Sequence, residues 1–313
     1  MILKLKRMKK LISCLVVILN LVAANAQQDA MYTHYSFNML SINPAYAGSR
    51  EVLTLTTLHR SQWVGFEGAP VTDNFTIHAP LFKHKMGIGL SALNDKIGPV
   101  NNTSFNASYA YKIKFKVGGQ LSMGINGGIN LLQANLVGLV ATNSNDVTIA
   151  NNTRNQLSPN FGVGFYFTRK KYFLGFSSPK LIKNKIDPTA PSGLSLERRH
   201  FYLTGGIVLK MSEAISFRPT LLVKMTQAVP VQTDLTALFI LNKVVEIGGM
   251  YRTGDAVGLL LGYNFENNLR VGYSFDWSYG VQTSRVNAGS HELMLRYDFI
   301  SKTKKRIVSP RYF

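Results

Sequence analysis

Six histidines, His34, His59, His78, His84, His200 and His291, are the first residues to weigh for chemistry. They are scattered. No His-Glu-x-x-His pair could hold zinc on one helix face, and there is no Gly-x-Ser-x-Gly elbow and no glycine-rich phosphate loop. His291 and Glu292 are adjacent, but successive side chains of a strand point to opposite faces, so the two cannot share a site. Asp95 and Asp255 stand near glycines, where aspartate shapes turns far more often than it binds calcium. Cys14 is the single cysteine, which leaves no disulfide. The expectation is a protein without a catalytic constellation, a metal site or a cofactor. A Ser/His or Asp/His pair assembled across strands is the remaining enzymatic alternative.

The charges do form a pattern, and that pattern belongs to the elements that carry them. In Leu269 to Trp277 the residues Leu269, Val271, Tyr273, Phe275 and Trp277 alternate with Arg270, Gly272, Ser274 and Asp276. Side chains change face at every strand residue, so this is one apolar and one polar face. About fourteen such segments follow one another, near 52–60, 72–80, 86–94, 103–113, 119–132, 160–168, 172–178, 200–210, 214–225, 232–242, 244–252, 256–265, 269–277 and 289–299. By the same alternation the polar face carries Arg60, Lys112, Lys114, Arg218, Lys224, Arg252, Arg270 and Arg296, with Asp234, Glu246, Asp276, Glu292 and Asp298. In a barrel these would face the lumen. Paired charges that hold the barrel's shape are the plain reading, and a basic path or docking surface built on Arg218, Arg252, Arg270, Asp276 and Arg296 is the functional one.

The connections alternate in length. Short turns follow the even-numbered segments, for example 82–85, 116–118, 169–171 and 266–268, whereas longer stretches near 133–159, 179–199 and 278–288 follow odd ones. Outer-membrane barrels have short turns on one rim and long loops on the other. Closure is also what hydrocarbon demands, because an unpaired backbone N–H or C=O costs several kcal/mol there. The fold expected is all-β: a transmembrane outer-membrane β-barrel of about fourteen antiparallel strands with an irregular N-terminal segment. Tyr273, Trp277, Tyr297 and Phe299 suit aromatic girdles. On this topology a charge at Leu261 or Val271 meets lipid, whereas Ser274→Arg faces the lumen and is better tolerated if the lumen has room.

The front of the chain reads as an export signal. Lys4, Lys6, Arg7, Lys9 and Lys10 precede an apolar stretch from Leu11 to Ala24, and Ala24-Asn25-Ala26 fits a cleavage site, so residues 1–26 are expected to be removed. Leu11-Ile12-Ser13-Cys14 is no lipoprotein box, because the apolar region follows the cysteine. Removing five basic residues takes the net charge from +19 to +14. For an exported chain such a surplus suits anionic lipid headgroups or an acidic partner, not nucleic acid.

Residues 27–51 form a segment with turn chemistry at Asn43-Pro44 and Ala47-Gly48-Ser49, and too many apolar groups for a free tail: Phe37, Met39, Leu40, Ile42 and Tyr46. It should pack on the periplasmic mouth, in the lumen or on a partner. Residues 300–313 form a basic tail with Lys302, Lys304, Lys305 and Arg306, ending on the aromatic Tyr312-Phe313. An even strand number puts both ends of the barrel on the short-turn rim, so both termini are expected in the periplasm. The expected organisation is signal peptide 1–26, periplasmic N-terminal segment 27–51, barrel 52–299 and periplasmic tail 300–313.

An ordered set of motifs carries a family resemblance: Tyr35-Ser36-Phe37-Asn38, Ile42-Asn43-Pro44-Ala45-Tyr46-Ala47-Gly48-Ser49, Arg60-Ser61-Gln62-Trp63-Val64-Gly65, Asn94-Asp95-Lys96-Ile97-Gly98-Pro99, Tyr251-Arg252-Thr253-Gly254-Asp255, Gly289-Ser290-His291-Glu292 and Ser309-Pro310-Arg311-Tyr312-Phe313. In this order the mature chain closely resembles the PorP/SprF outer-membrane proteins of the type IX secretion system. The resemblance implies a non-enzymatic barrel that supports secretion and surface anchoring of large cargo, gliding adhesins among them, in contact with other secretion or motility components. Asn43, Pro44, Tyr46, Trp63, Pro310, Arg311, Tyr312 and Phe313 are then the candidate partner-binding residues. A passive porin or small-molecule transporter of the outer membrane is the alternative from another class.

Overall fold

A computed structural model of the chain describes residues 30–135, 156–184, 198–227, 229–279, 285 and 287–300. The strands are β1 (Leu53–Ser61), β2 (Val71–Leu81), β3 (Met86–Ile97), β4 (Val100–Lys114), β5 (Gln120–Ala134), β6 (Gln156–Arg169) and β7 (Tyr172–Ser178). They continue with β8 (His200–Ile207), β9 (Leu209–Lys210), β10 (Ile215–Thr226), β11 (Gln232–Leu241), β12 (Val245–Arg252), β13 (Ala256–Asn264), β14 (Leu269–Ser278) and β15 (Ser290–Phe299). β9 prolongs β8 past Val208 along the same neighbour, β10, so the fifteen segments make fourteen staves. Every neighbouring pair is antiparallel. β1 pairs with β15 and β10 with β11, which closes the barrel.

The strands lie where alternation places them, with the largest differences at the wet ends. β3 runs on to Ile97, β4 begins at Val100 and β6 at Gln156. Asp95, Asn101, Asn102 and Gln156 mark these extensions, and alternation fades where both faces of a strand meet polar surroundings. Asp95 consequently lies within β3, not in a turn. It accepts the Thr72 hydroxyl at 2.6 Å, a cross-strand bond and no calcium loop.

Alternation also sorts the faces. In β14 Arg270, Ser274 and Asp276 are buried, whereas Tyr273 and Trp277 are exposed. The outward surface carries Leu90, Ile125, Leu174, Leu259 and Leu261 in mid-strand. Tyr111, Tyr172, Tyr263 and Phe299 ring the short-turn end, and Tyr251, Trp277 and Tyr279 the opposite end. Exposed apolar side chains between two aromatic bands are what a lipid-facing wall requires.

The lumen is occupied. Residues 32–48 are buried almost without a break, and three short 3-10 turns, Tyr35–Phe37, Met39–Ser41 and Pro44–Tyr46, fold them inside the barrel. Of the places open to this segment it takes the lumen, so its described part is a plug and not a domain below the barrel. The physical reason lies in the wall. Leu58, Tyr166, Tyr202, Leu222, Leu238, Met250, Leu260 and Met294 all point inward and are buried. Such side chains would be poorly placed in water, and the plug's own apolar groups cover them. Ala30 to His34 lie in the half of the barrel near the long loops, and Arg50 hands the chain to β1 at the short-turn rim.

Candidate partner site in the plugged lumen

Two apolar contacts seat the plug. Tyr35, Met39, Leu40, Ile42, Ala45, Tyr46 and Ala47 cluster with Ala110, Tyr166, Phe173, Tyr202 and Leu222 of the wall. Phe37 sits apart, among Leu238, Met250, Leu260 and Met294. The guanidinium carbons of Arg218 and Arg270 lie 4.2 and 3.5 Å from its ring centroid, a cation on each of two approaches. Glycines let the plug reach the wall. A Cβ at Gly124 would collide with the backbone of Pro44 and Ala45, and one at Gly87 with the Ala47 carbonyl.

Polar anchors fix the register of the plug. The Glu292 carboxylate accepts the amides of Thr33 (2.8 Å) and His34 (2.7 Å), and it pairs with the His34 ring at 2.8 Å. Arg60 donates to Asp276 at 2.7 Å and to Glu292 at 3.1 Å, and Thr33 donates to Asp276 at 2.6 Å. Lower down, the Asn38 amide donates to Asn74 at 2.5 Å and its oxygen accepts Thr76 at 2.7 Å. Asn43 caps the third turn by accepting the Ala45 amide at 2.9 Å, and it donates to the Phe165 carbonyl at 3.0 Å. Tyr35 donates to Thr220 at 3.1 Å; burial pushes its phenol up to about 12, so it stays a neutral donor. Arg50 grips Asp298 with Nη2 at 2.6 Å and Nε at 3.1 Å, and the Lys112 ammonium donates to the Gly48 carbonyl.

The lumen charges divide by height. Near the long loops, Arg60 and Arg252 face Asp234, Asp255, Asp276 and Glu292; Arg252 lies 2.8 Å from Asp234. Near the short turns the balance reverses. Arg50, Arg218, Arg270 and Arg296 converge with only Glu246 and Asp298 among them, and Lys243 adds a further cation. These residues line a cavity of about 250 Å³, bounded toward the rim by Lys243, Phe265 and Asn268. A second crevice of about 60 Å³ runs beside the plug along Asn74, Asn106 and Asn126.

The residues singled out by sequence do not form one surface. Asn43, Pro44 and Tyr46 are buried in the lumen, with Tyr46 packed edge-on against Tyr166. Trp63 is half-buried in the loop after β1, on the long-loop rim, where its amide donates to Ser290 at 3.1 Å. Pro310, Arg311, Tyr312 and Phe313 lie outside the described residues. Arg218, Arg252, Arg270, Asp276 and Arg296 are all buried toward the lumen, but Arg252 and Asp276 join the upper acidic group and the other three the lower basic one. Lys114 is exposed at the end of β4. Sequence reasoning named Phe37 only as one of the apolar groups that must pack, without its place between the arginines, and missed Arg50 and His34 as lumen residues. The available signal was the row of apolar side chains on the face expected to meet water. Among the described residues no three His, Cys, Asp or Glu side chains gather to hold a metal.

Several solved outer-membrane barrels resemble the chain at low identity. The KdgM porin is 12% identical over 79% of this chain and 99% of its own, with a TM-score of 0.38. The NanC porin is 10% identical over 80% and 100%, at 0.41. Omp33 of Acinetobacter baumannii is 7% identical over 80% and 99%, at 0.46. No curated protein matches the chain. The sequence profile of the type IX secretion system membrane protein PorP/SprF matches residues 24–297. With that match spanning nearly the whole closed barrel, the chain belongs to the PorP/SprF family of type IX secretion system membrane proteins.

Proposed function

We propose that this protein is a non-conducting, non-enzymatic outer-membrane component of the secretion apparatus, which docks partner subunits and secreted cargo instead of passing solutes. The observation that carries the reading is the filled lumen. Residues 32–48 occupy the space a porin leaves to water, and their anchors reach strands on all sides. A barrel closed in this way contributes its rims and its lumenal mouths. Large secreted proteins, gliding adhesins among them, are the cargo, and the short-turn side is the working face in this reading. Two segments meet that face: the Arg50 junction where the plug hands over to β1, and the tail that follows β15.

The test couples two measurements on one tagged protein. Purified barrel in planar bilayers should show no steady conductance, and mild-detergent purification from the native membrane should bring down secretion components. A steady pore with no co-purified partner would replace this reading with a passive porin.

A further inference from the structure

We infer that the cavity at the short-turn mouth is a binding site for the carboxylates of an acidic peptide segment, presented by a partner protein. This rests on the docking reading above and gives it a chemistry.

The charge inventory is the first observation. Four arginines from separate elements meet there: Arg50 from the plug, Arg218 of β10, Arg270 of β14 and Arg296 of β15. The two carboxylates present are already engaged. Asp298 accepts Arg50 at 2.6 Å and the Thr54 hydroxyl at 2.7 Å, and Glu246 accepts Arg270 and the Asn264 amide at 3.0 Å. Arg218 stands 3.9 Å from Glu246. Arg296, only 6% exposed, has no carboxylate within 4.0 Å among the described residues. The Nε of Arg270 is buried with no acceptor. Four arginines against two carboxylates leave the site with a surplus of positive charge, which an entering anion offsets.

Size and access select the ligand. At about 250 Å³ the cavity is smaller than the roughly 300–1,000 Å³ typical of sites for whole small molecules, and it fits one or two side chains or a chain end. The guanidinium fork matches a carboxylate with two parallel bonds. The cavity lies inside the wall, so a membrane phospholipid would have to lift its acyl chains over the rim to reach it, whereas a peptide enters along the axis. The exposed short-turn rim is basic on balance, with Lys83, Lys116, Lys170, Lys171 and Lys243 against Glu213 and Glu266, and Lys210 is held by Glu213. That field steers anions toward the mouth and falls off with salt.

The test uses the full mature protein in detergent and fluorescence anisotropy of a rhodamine-labelled hexaglutamate peptide, with hexaglutamine as the neutral control. Hexaglutamate should bind and hexaglutamine should not. Arg296→Gln should weaken binding about tenfold or more, as expected for losing one charge-assisted pair. Lys243→Gln, an exposed turn change that leaves the core intact, should weaken it about two- to threefold, by an exposed ion pair's worth. Arg296→Lys should restore most of the affinity. Competition separates the sources of anion: an excess of inorganic phosphate or short-chain phosphatidylglycerol should displace the peptide only weakly. Equal binding to wild type and both glutamine variants would overturn the proposal, as would stronger binding of phosphate or phosphatidylglycerol than of hexaglutamate. A steady pore with no co-purified partner would remove the docking reading but leave this binding result standing, so the two fail separately.

Discussion

Phe37→Ala is the sharpest single perturbation of the plug. The ring is 4% exposed, packs on Leu238, Met250, Leu260 and Met294, and lies against two guanidinium groups. Truncating a buried phenylalanine costs about 3–5 kcal/mol. The change also leaves Arg218 and Arg270 facing a void with no ring between them, and each cation–ring contact is worth about 0.5–2 kcal/mol. The loss falls on the plug and not on the strands, because the inter-strand ladder remains complete. A shift of about 3 kcal/mol multiplies the seated-to-released ratio by a factor of roughly a hundred. The other anchors, His34 on Glu292 and Arg50 on Asp298, persist, so the plug should leave intermittently and not for good. Planar-bilayer recording should therefore show wild type silent and the variant producing brief openings, with heat-modifiability of the barrel unchanged. Phe37→Leu keeps most of the apolar volume but loses both cation–ring contacts, so its openings should be rarer than those of Phe37→Ala and more frequent than wild type's. If Phe37→Ala is as silent as wild type at equal protein density, Phe37 does not hold the plug and the reasoning fails.

Other perturbations probe other parts of the structure. Glu292→Gln removes the negative charge opposite Arg60 and turns one of the two oxygens that hold Thr33, His34 and Arg60 into a donor; it should cost about 3–5 kcal/mol, read as N-terminal proteolysis at lower temperature, and unchanged cleavage would dismiss this anchor. Gly124→Val drives side-chain atoms into Pro44 and Ala45 and should cost at least about 1–3 kcal/mol, with openings like those of Phe37→Ala, whereas Gly127→Val, with open space around it, should leave the channel silent. Leu261→Arg on the lipid face should cost about 2–4 kcal/mol and reduce assembled barrel on unheated gels; full assembly would refute the assigned register. Cysteines at Glu67 and Asn267 test sidedness on intact cells. An impermeant maleimide should label the first and spare the second, and the reverse pattern would invert the barrel.

The strands were legible because their signal is local. Leu269 to Trp277 declares two faces by composition alone, and closure needs only that neither edge stay open. The end positions blurred where Asn and Gln extend the sheet beyond the apolar band, as at Asn101 and Gln156. The lumen was less legible. From sequence, Ser274→Arg is tolerable only if the lumen has room, and the sequence leaves that open. In the folded protein Ser274 is fully buried beside the plug, and the neighbouring Gly272 lies close to the His34 ring, so the room is already taken.

Period-two alternation, the export signal and the family motifs are properties of short stretches of chain, and they sufficed to set the class, the strand positions and the faces. What occupies the lumen is a contact between Tyr35 to Ala47 and strands far along the sequence, which no local pattern encodes. The same holds for the charges. Arg218, Arg252, Arg270, Asp276 and Arg296 look alike as polar-face residues. Only the stagger of strands around a closed barrel sends Arg252 and Asp276 to an acid-rich upper network and gathers the other three around the cation-rich cavity at the opposite mouth.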